Sequence, residues 1–343
     1  MANASYDNNT ISTSSNDTSA QGIAINNDGT KVYLVGNQFN AVFQYTMTTA
    51  YDLSTASMTQ SSSISSQSSS PMGIRFNDDG TKMYISEQSG TIYQYTLTTA
   101  FDLNTSSYAS ISFSTSSEST SLSGLDFNSD GTKMYVLGGS VVYQYSLSTA
   151  YNVSTASYDS VSFSVSTQDS NARDVTFNSD GTKMFIAGGA NDTVYQYNLS
   201  SAFDISTASY ASVSFSVTSQ QGFPTGIAFS SDGLKLFLSG NSTSAIHRYS
   251  TVGDYPNQMN KTQLDAVSDA NHFTLANDLD LGIIFNLSSG TTVPSSDGVS
   301  INYDANVLNK GAILGTDYDF DAPAATKVRI TALAANNLKV RVV

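Results

Sequence analysis

One phrase returns five times along this chain: "INNDGTKVYL" from Ile25, "FNDDGTKMYI" from Phe76, "FNSDGTKMYV" from Phe127, "FNSDGTKMFI" from Phe177 and "FSSDGLKLFL" from Phe229. Its aspartates stand at 28, 79, 130, 180 and 232, a period of 51, 51, 50 and 52 residues. So regular a period means copies of one supersecondary unit, each burying its apolar face only against its neighbours.

The third copy shows what the unit contains. Strand character is found in "GLDF" (Gly124–Phe127), "KMYVL" (Lys133–Leu137), "VVYQYSL" (Val141–Leu147) and "DSVSFSVS" (Asp159–Ser166). The last two alternate apolar and polar residues, as half-buried strands require. Four antiparallel strands at a period near 50 predict a β-propeller blade, with an open solenoid as the rival. The chain's ends favour the ring. After "HRY" (His247–Tyr249) the usual "STAYD" continuation is missing, while the amino-terminal "ASYDNNTISTSSNDTSAQGIAI" aligns with "ASYASVSFSVTSQQGFPTGIAF" at Ala208–Phe229. A strand over residues 8–15 would therefore complete the fifth blade and leave no unpaired edge. The expectation is an all-β chain: a five-bladed β-propeller over 1–252 closed by an N-terminal strand. A small β-sandwich-like domain with one short helix would follow over 253–343.

The repeated phrase resembles the DGTK-type repeat of YVTN propellers, over residues 22 to 250 in five copies. The resemblance implies the fold; because such propellers host many activities, it implies no particular chemistry.

In each copy the Asp-Gly pair lies between two strands. A glycine there supplies the positive φ of a tight hairpin, and the aspartate bonds nearby backbone amides. Asp28/Gly29, Asp79/Gly80, Asp130/Gly131, Asp180/Gly181 and Asp232/Gly233 are accordingly read as structural turns. A calcium loop would need more oxygen ligands at fixed offsets. The glutamines of "VYQY" (Gln44, Gln94, Gln144 and Gln196) predict a bonded layer between blades. His247 and Arg248 break that pattern in the fifth copy, and contact with the following domain is the expected reason.

Strand order then sorts the loops. The DGTK turn and the repeated "TAYDLSTASY" loop fall on one side of the disc. The other side carries turns that differ from copy to copy, such as "GNQFNA", "EQSGT" and "GGANDT". Divergent loops on a constant support suit recognition. The candidate ligand-binding residues on this variable face are Phe39, Glu87, Glu118, Asp169, Arg173, Asn191, Asp192 and Phe223. Arg75 and Asp126, at equivalent places in adjacent innermost strands, are expected to pair near the channel.

A net charge of −14 argues against nucleic-acid partners, which need clustered Lys and Arg. With no Cys and two His, disulfides, thiolate metal sites and histidine metal clusters are not expected, nor is any cofactor. No stretch approaches 18 consecutive apolar residues, so no membrane insertion is expected. "MANASYDNNTIS" shows no ordinary signal peptide.

From Thr251 the repeat stops. "NQMNKTQLDAVSDA" (Asn257–Ala270) predicts a helix, strand-like runs follow from Leu281, and "KVRITALAANNLKVRVV" (Lys327–Val343) reads as a hairpin turning near Asn336–Asn337. Together with "SDGVSINYDANVLNKGAILGTDYDF", this module resembles terminal modules of virion structural and tail-fibre-associated proteins of tailed, particularly marine, phages. That resemblance implies a non-enzymatic virion surface protein, made in the host cytoplasm and oligomeric in the assembly. Its C-terminal domain would hold other virion proteins and its propeller would read a host-surface glycan. The alternatives are a capsid decoration protein without a specific ligand, a surface-layer propeller, and a glycan-processing enzyme. The last needs two carboxylates facing each other across a site about 5 to 10 Å wide.

Overall fold

In the computed structural model, residues 4–251 are described throughout and the residues after 251 only where they form strands. The chain divides into two compact units, Met1–Asp254 and Tyr255–Val343.

The first unit is a ring of five four-stranded antiparallel sheets. Blade one contains β2 (Ala20–Ile25), β3 (Lys31–Gly36), β4 (Ala41–Met47) and β5 (Ala56–Ser63). Blade two contains β6 (Pro71–Phe76), β7 (Lys82–Glu87), β8 (Thr91–Leu97) and β9 (Ser106–Ser114). Blade three contains β10 (Leu122–Phe127), β11 (Lys133–Gly138), β12 (Val141–Leu147) and β13 (Ala156–Ser164). Blade four contains β14 (Ala172–Phe177), β15 (Lys183–Gly188), β16 (Thr193–Leu199) and β17 (Ala208–Ser216). In blade five, β18 (Pro224–Phe229), β19 (Lys235–Gly240) and β20 (Ala245–Ser250) are joined by β1 (Ser5–Ser12) from the chain's beginning. The innermost strands β2, β6, β10, β14 and β18 each neighbour the next, and β18 returns to β2.

The burial pattern explains why these segments make wedges. Inner strands are buried nearly throughout, whereas β13 and β17 at the rim alternate between covered and exposed residues. The core lies between blades: Tyr135, Leu137 and Val142 of blade three pack on Val175, Ile186 and Tyr197 of blade four. No blade could bury those faces alone, which is the physical reason for the repeat.

β1 begins three residues earlier than expected. It carries the outer-strand bulge of the other blades, with Asn8 at φ 53° where Ser110, Ser160 and Ser212 have 57°, 58° and 56°. Thr13–Asp17 instead folds into a turn, with the Asp17 N–H donating to the Thr13 carbonyl, and this ends the strand. Arg248 bonds this closure: its Nε donates to Asp7 Oδ2 at 2.8 Å and its Nη1 to the Tyr51 carbonyl at 2.7 Å. The fifth copy's departure thus serves the N-terminal strand.

The glutamine layer is present. Gln44, Gln94 and Gln144 each accept from a backbone N–H of the following blade's outer loop, at Leu103, Val153 and Ile205. Across the closure Asn9 of β1 takes the glutamine's place, accepting from Leu53 N at 2.8 Å. Among the described residues blade five has no such loop, and the Gln196 Oε1 atom is buried without a partner.

The second unit has two described sheets. One orders β21 (Gln258–Asn260), β23 (Ile283–Leu287), β28 (Thr326–Ala332), β25 (Val299–Tyr303) and β26 (Lys310–Gly311). The other orders β22 (His272–Leu275), β29 (Leu338–Val342), β24 (Thr291–Pro294) and β27 (Asp317–Phe320). Two expectations change here. Gln258–Asn260, inside the expected helix, is a strand parallel to β23, and residues 261–270 lie outside the described residues. The expected C-terminal hairpin does not form: β28 and β29 both have the alternating pattern, but the link between them carries the chain from one sheet to the other.

Candidate functional site

The repeated-turn face is built from interlocked copies. In blade three the Asp130 carboxylate accepts from Thr132 N and Oγ1 at 2.8 and 2.5 Å, and these bonds hold the carboxyl below the usual aspartate range. Gly29, Gly80, Gly131, Gly181 and Gly233 have φ between 65° and 72°, the positive φ expected of these turns. In one respect they depart from ordinary hairpin tips, which stand open to water: all five are buried. The cause is the neighbouring outer loop. The ring of Tyr51 packs on Gly29, that of Phe101 on Gly80, that of Tyr151 on Gly131 and that of Phe203 on Gly181. A Cβ added at any of these four would meet ring carbons at 2.2 to 2.5 Å, so glycine is required there for space as well as for φ. Gly233 is met by Thr251 instead, whose Oγ1 donates to its carbonyl at 2.5 Å. Covered in this way, the five glycines present no surface to a ligand.

The four covering aromatic residues have positive φ themselves, 56° to 60°, strain that the packed ring offsets. A tyrosine in the preceding blade ties the loop down: Tyr33 OH donates to the Phe101 carbonyl, Tyr84 OH to that of Tyr151 and Tyr135 OH to that of Phe203.

Inside this face the channel opens as a cavity of about 410 Å³. Phe76, Phe127, Phe177 and Phe229 wall it, Phe101, Tyr151 and Phe203 stand at its rim, and Arg75 with Asp126 faces it from below. The turn residues at its mouth are Asn27, Asp78, Ser129, Ser179 and Ser231, so blade two alone contributes a carboxylate there. Burial pushes the Asp78 carboxyl up, a bond from Tyr151 pulls it back, and the charge of Asp126 adds to the rise.

On the axis Arg75 touches every blade. Its Nε lies 3.3 Å from Asp126 Oδ1 and its Nη2 3.2 Å from Asp174 Oδ2. Its remaining N–H groups donate to the carbonyls of Ile23, Ile74, Val175 and Ile227 at 2.8 to 3.2 Å. The carboxylates are equally engaged. Asp126 accepts from the Phe127 and Phe177 amides, and Asp174 from those of Val175 and Ile227. Burial pushes the Asp174 carboxyl up to about 6 against the pull of Arg75. Burial also works against the charge on Arg75, but the two carboxylates outweigh it and hold the guanidinium charged. Every polar atom of the cluster has a partner, so it acts as an axial pin. The expected pairing of Arg75 with Asp126 is present. Asp174 is the member that the pairing of equivalent positions does not reach. Aligning the innermost strands exposes it, because it stands where the other blades have Gly22, Gly73, Gly124 and Gly226.

On the variable face the eight candidates divide between bonded and open side chains. Asp169 is buried and accepts from the backbone of Asn171, Ala190 and Asn191, as Asp17 does from Ser19, Gln38 and Phe39 in blade one. Such a carboxylate fits only because glycine stands opposite: a Cβ on Gly188 would lie 2.4 Å from Asp169 Oδ2. Blade two exchanges the partners. Glu87 occupies the glycine position and is buried, and its carboxylate accepts from the Ser68 hydroxyl and the Ser70 amide. Glu118 accepts from Tyr145 OH at 3.1 Å, the bond Gln67 makes to Tyr95 and Gln168 to Tyr197. These three acids hold loops together.

The others are more open. Phe39 is 58% exposed. Asn191 is exposed and donates to the Gln168 carbonyl, and Asp192 beside it has φ 49°. The Arg173 guanidinium lies 5.3 Å from the centre of the Phe223 ring and 3.4 Å from Gln21 Oε1. The fold thus joins Asp169 with Asn191 and Arg173 with Phe223, while Phe39, Glu87 and Glu118 each contact their own surroundings. Among the described residues there is no metal-binding grouping and no helix long and apolar enough to cross a membrane.

No protein-family model matches the chain, and no curated protein does. Among solved structures, it is similar to that of a functionally unknown protein from Desulfotomaculum acetoxidans DSM 771. The identity is 14% and the TM-score 0.43, over 65% of this chain and 80% of that one.

Proposed function

We propose that this chain is a non-enzymatic recognition and assembly protein of a virion surface. Its propeller reads a host-surface glycan through the variable face, and its second unit, a small sandwich-like domain, attaches it to other virion proteins. The observation that carries the recognition half is how the variable loops are held. Asp17, Glu87, Asp169 and Glu118 are occupied in bonding those loops to the scaffold. Phe39 and Asn191 remain open, and the Arg173–Phe223 pair is half-buried. A rigid, shallow surface of this kind suits a polyol, whose ring faces stack on aromatics and whose hydroxyls exchange hydrogen bonds with amides. The engaged state of these four acids also weakens the hydrolase alternative on the variable face, since that chemistry needs carboxylates free to move protons. Virion attachment rests on the resemblance of the second unit's sequence.

The test is a glycan array and host-cell binding with the full chain, beside immunogold labelling of intact particles. Saturable binding that falls on Phe39→Ala, Asn191→Ala or Phe223→Ala supports the reading. Particle labelling without any cell or glycan binding would favour a decoration protein, and sugar release from the array would favour the hydrolase.

A further inference from the structure

The cavity on the repeated-turn face is separate from the surface proposed for recognition, and its chemistry has a sign. Of the ionisable groups facing it, Asp78 and Asp126 are carboxylates and Arg75 is the cation. Arg75 is committed to Asp126, Asp174 and four carbonyls, so it has no N–H left for a ligand. Counting Asp174 behind the guanidinium, three carboxylates face one cation. The backbone amides nearest the floor, at Phe127 and Phe177, are already donating to Asp126. An anion entering this space meets repulsion, and the one cation and the floor amides are already engaged. A cation meets carboxylate oxygens and the negative faces of aromatic rings, the combination that favours organic ammonium and guanidinium groups.

We propose that this cavity binds a small organic cation, an alkylammonium or guanidinium compound, with its charged head between Asp78 and Asp126 and its carbon chain against the phenylalanine wall. The near-fivefold funnel offers four equivalent-looking sides, and Asp78 breaks the tie. Blades one, three, four and five have Asn27, Ser129, Ser179 and Ser231 at its position. The head therefore lies toward blade two, beside the Tyr151 ring, whose OH donates to the Ser129 carbonyl at 3.0 Å. The half-open volume of about 410 Å³ has ample room for an amine of a few carbons.

The experiment is calorimetric titration of the full chain with n-butylammonium chloride, against sodium chloride, sodium butyrate and n-butanol at matched ionic strength. Saturable binding of n-butylammonium alone is expected. Asp78→Asn, a rim substitution, is expected to weaken it roughly tenfold, as removal of one unit charge a few ångströms away predicts. Asp126→Asn is the second variant, read only where its circular dichroism and melting match the parent's, and a similar loss is expected. No saturable binding of n-butylammonium, equal binding of n-butanol, or undiminished binding by Asp78→Asn would each overturn the proposal. An acetyl-Ala-Lys-Ala-amide arm separates sources: binding of that peptide without binding of the free amine would place the cation on a protein partner and reject a small-molecule ligand. Glycan binding in the presence of saturating n-butylammonium reads the other face independently, so either reading can fail alone.

Discussion

Arg75 of blade two crosses the axis to Asp174 of blade four at 3.2 Å, with both side chains buried. Asp174→Ala leaves Arg75 with Asp126 alone and deprives the buried Val175 and Ile227 amides of their acceptor, so it should destabilise the propeller by about 1–3 kcal/mol. Arg75→Ala leaves Asp126 and Asp174 together without a cation and should cost more, about 3–5 kcal/mol. Arg75→Ala, Asp126→Ala and Asp174→Gly together restore residues that other blades carry at those places, Ala24, Ala228 and the glycine of four blades. The triple variant should recover most of the loss. Urea unfolding followed by tyrosine fluorescence measures all three, and a triple variant as unstable as Arg75→Ala would show that the pin contributes more than its own desolvation.

The same carboxyl gives stability a pH signature. Asp174 titrates at about 6 when folded, against an ordinary aspartate value of 3.8. Between those values the folded chain holds a proton that the unfolded chain has released, so this group's contribution falls as pH rises from about 4 to 6. Asp130 has the opposite sign, because its bonds to Thr132 lower its value, and its contribution is lost as pH falls below 3.8. Substituting Asp174→Asn should flatten the parent's decline in melting temperature between pH 4 and 6. The groups facing it are Arg75, Asp126 and the Val175 and Ile227 amides, and of these only Asp126 is a second carboxylate.

The ring, its five copies and the turn chemistry are legible because each is written in local residues: Asp-Gly for the hairpin, alternation for the strands, a missing "STAYD" for the closure. The burial of Gly29, Gly80, Gly131 and Gly181 is not, since the ring covering each comes from a loop about 20 residues further on. The start of β1 lies three residues before its expected place because "NNTISTSSND" is nearly uniform in polarity and offers no period. Half of the axial pin is legible, since Arg75 and Asp126 share one alignment column, while Asp174 sits two places earlier in its strand. The roles of Glu87 and Asp169 are not. Their partners lie about 20 residues away on another loop, and in sequence both look like ordinary variation between copies. The cavity escapes for a different reason: its face repeats so closely that it reads as scaffold, although five similar turns around an axis also make a funnel.

Ring closure depends on one carboxylate. Asp7 of β1 receives Arg248 at 2.8 Å and Lys235 at 3.4 Å, partly buried with both. Asp7→Ala should cost about 2 kcal/mol, the range for a charge-assisted bond that is largely shielded from water. Hydrogen exchange should locate the loss, with faster exchange in β1 and β20 and unchanged protection in blade three. Uniform loss around the ring would mean that closure and blade packing form a single cooperative unit.

Blade two reverses the loop lock of blades one and four, and that reversal can be undone. In blades one and four a carboxylate on the loop enters a space left by glycine, Asp17 against Gly36 and Asp169 against Gly188. In blade two the carboxylate comes from Glu87 on β7 and the loop supplies Ser68. Glu87→Gly alone removes the acceptor for a buried hydroxyl and should cost about 1–3 kcal/mol. Ser68→Asp alone places a second carboxylate against Glu87 and should cost more, since two buried carboxylates cannot both ionise there. Together the two changes rebuild the arrangement of blade four, so the double variant should be more stable than either single one, with a coupling of about 1–3 kcal/mol. Chemical denaturation of the four proteins closes the cycle. Simple additivity would mean that the surrounding loop, rather than this pair, decides where the carboxylate stands.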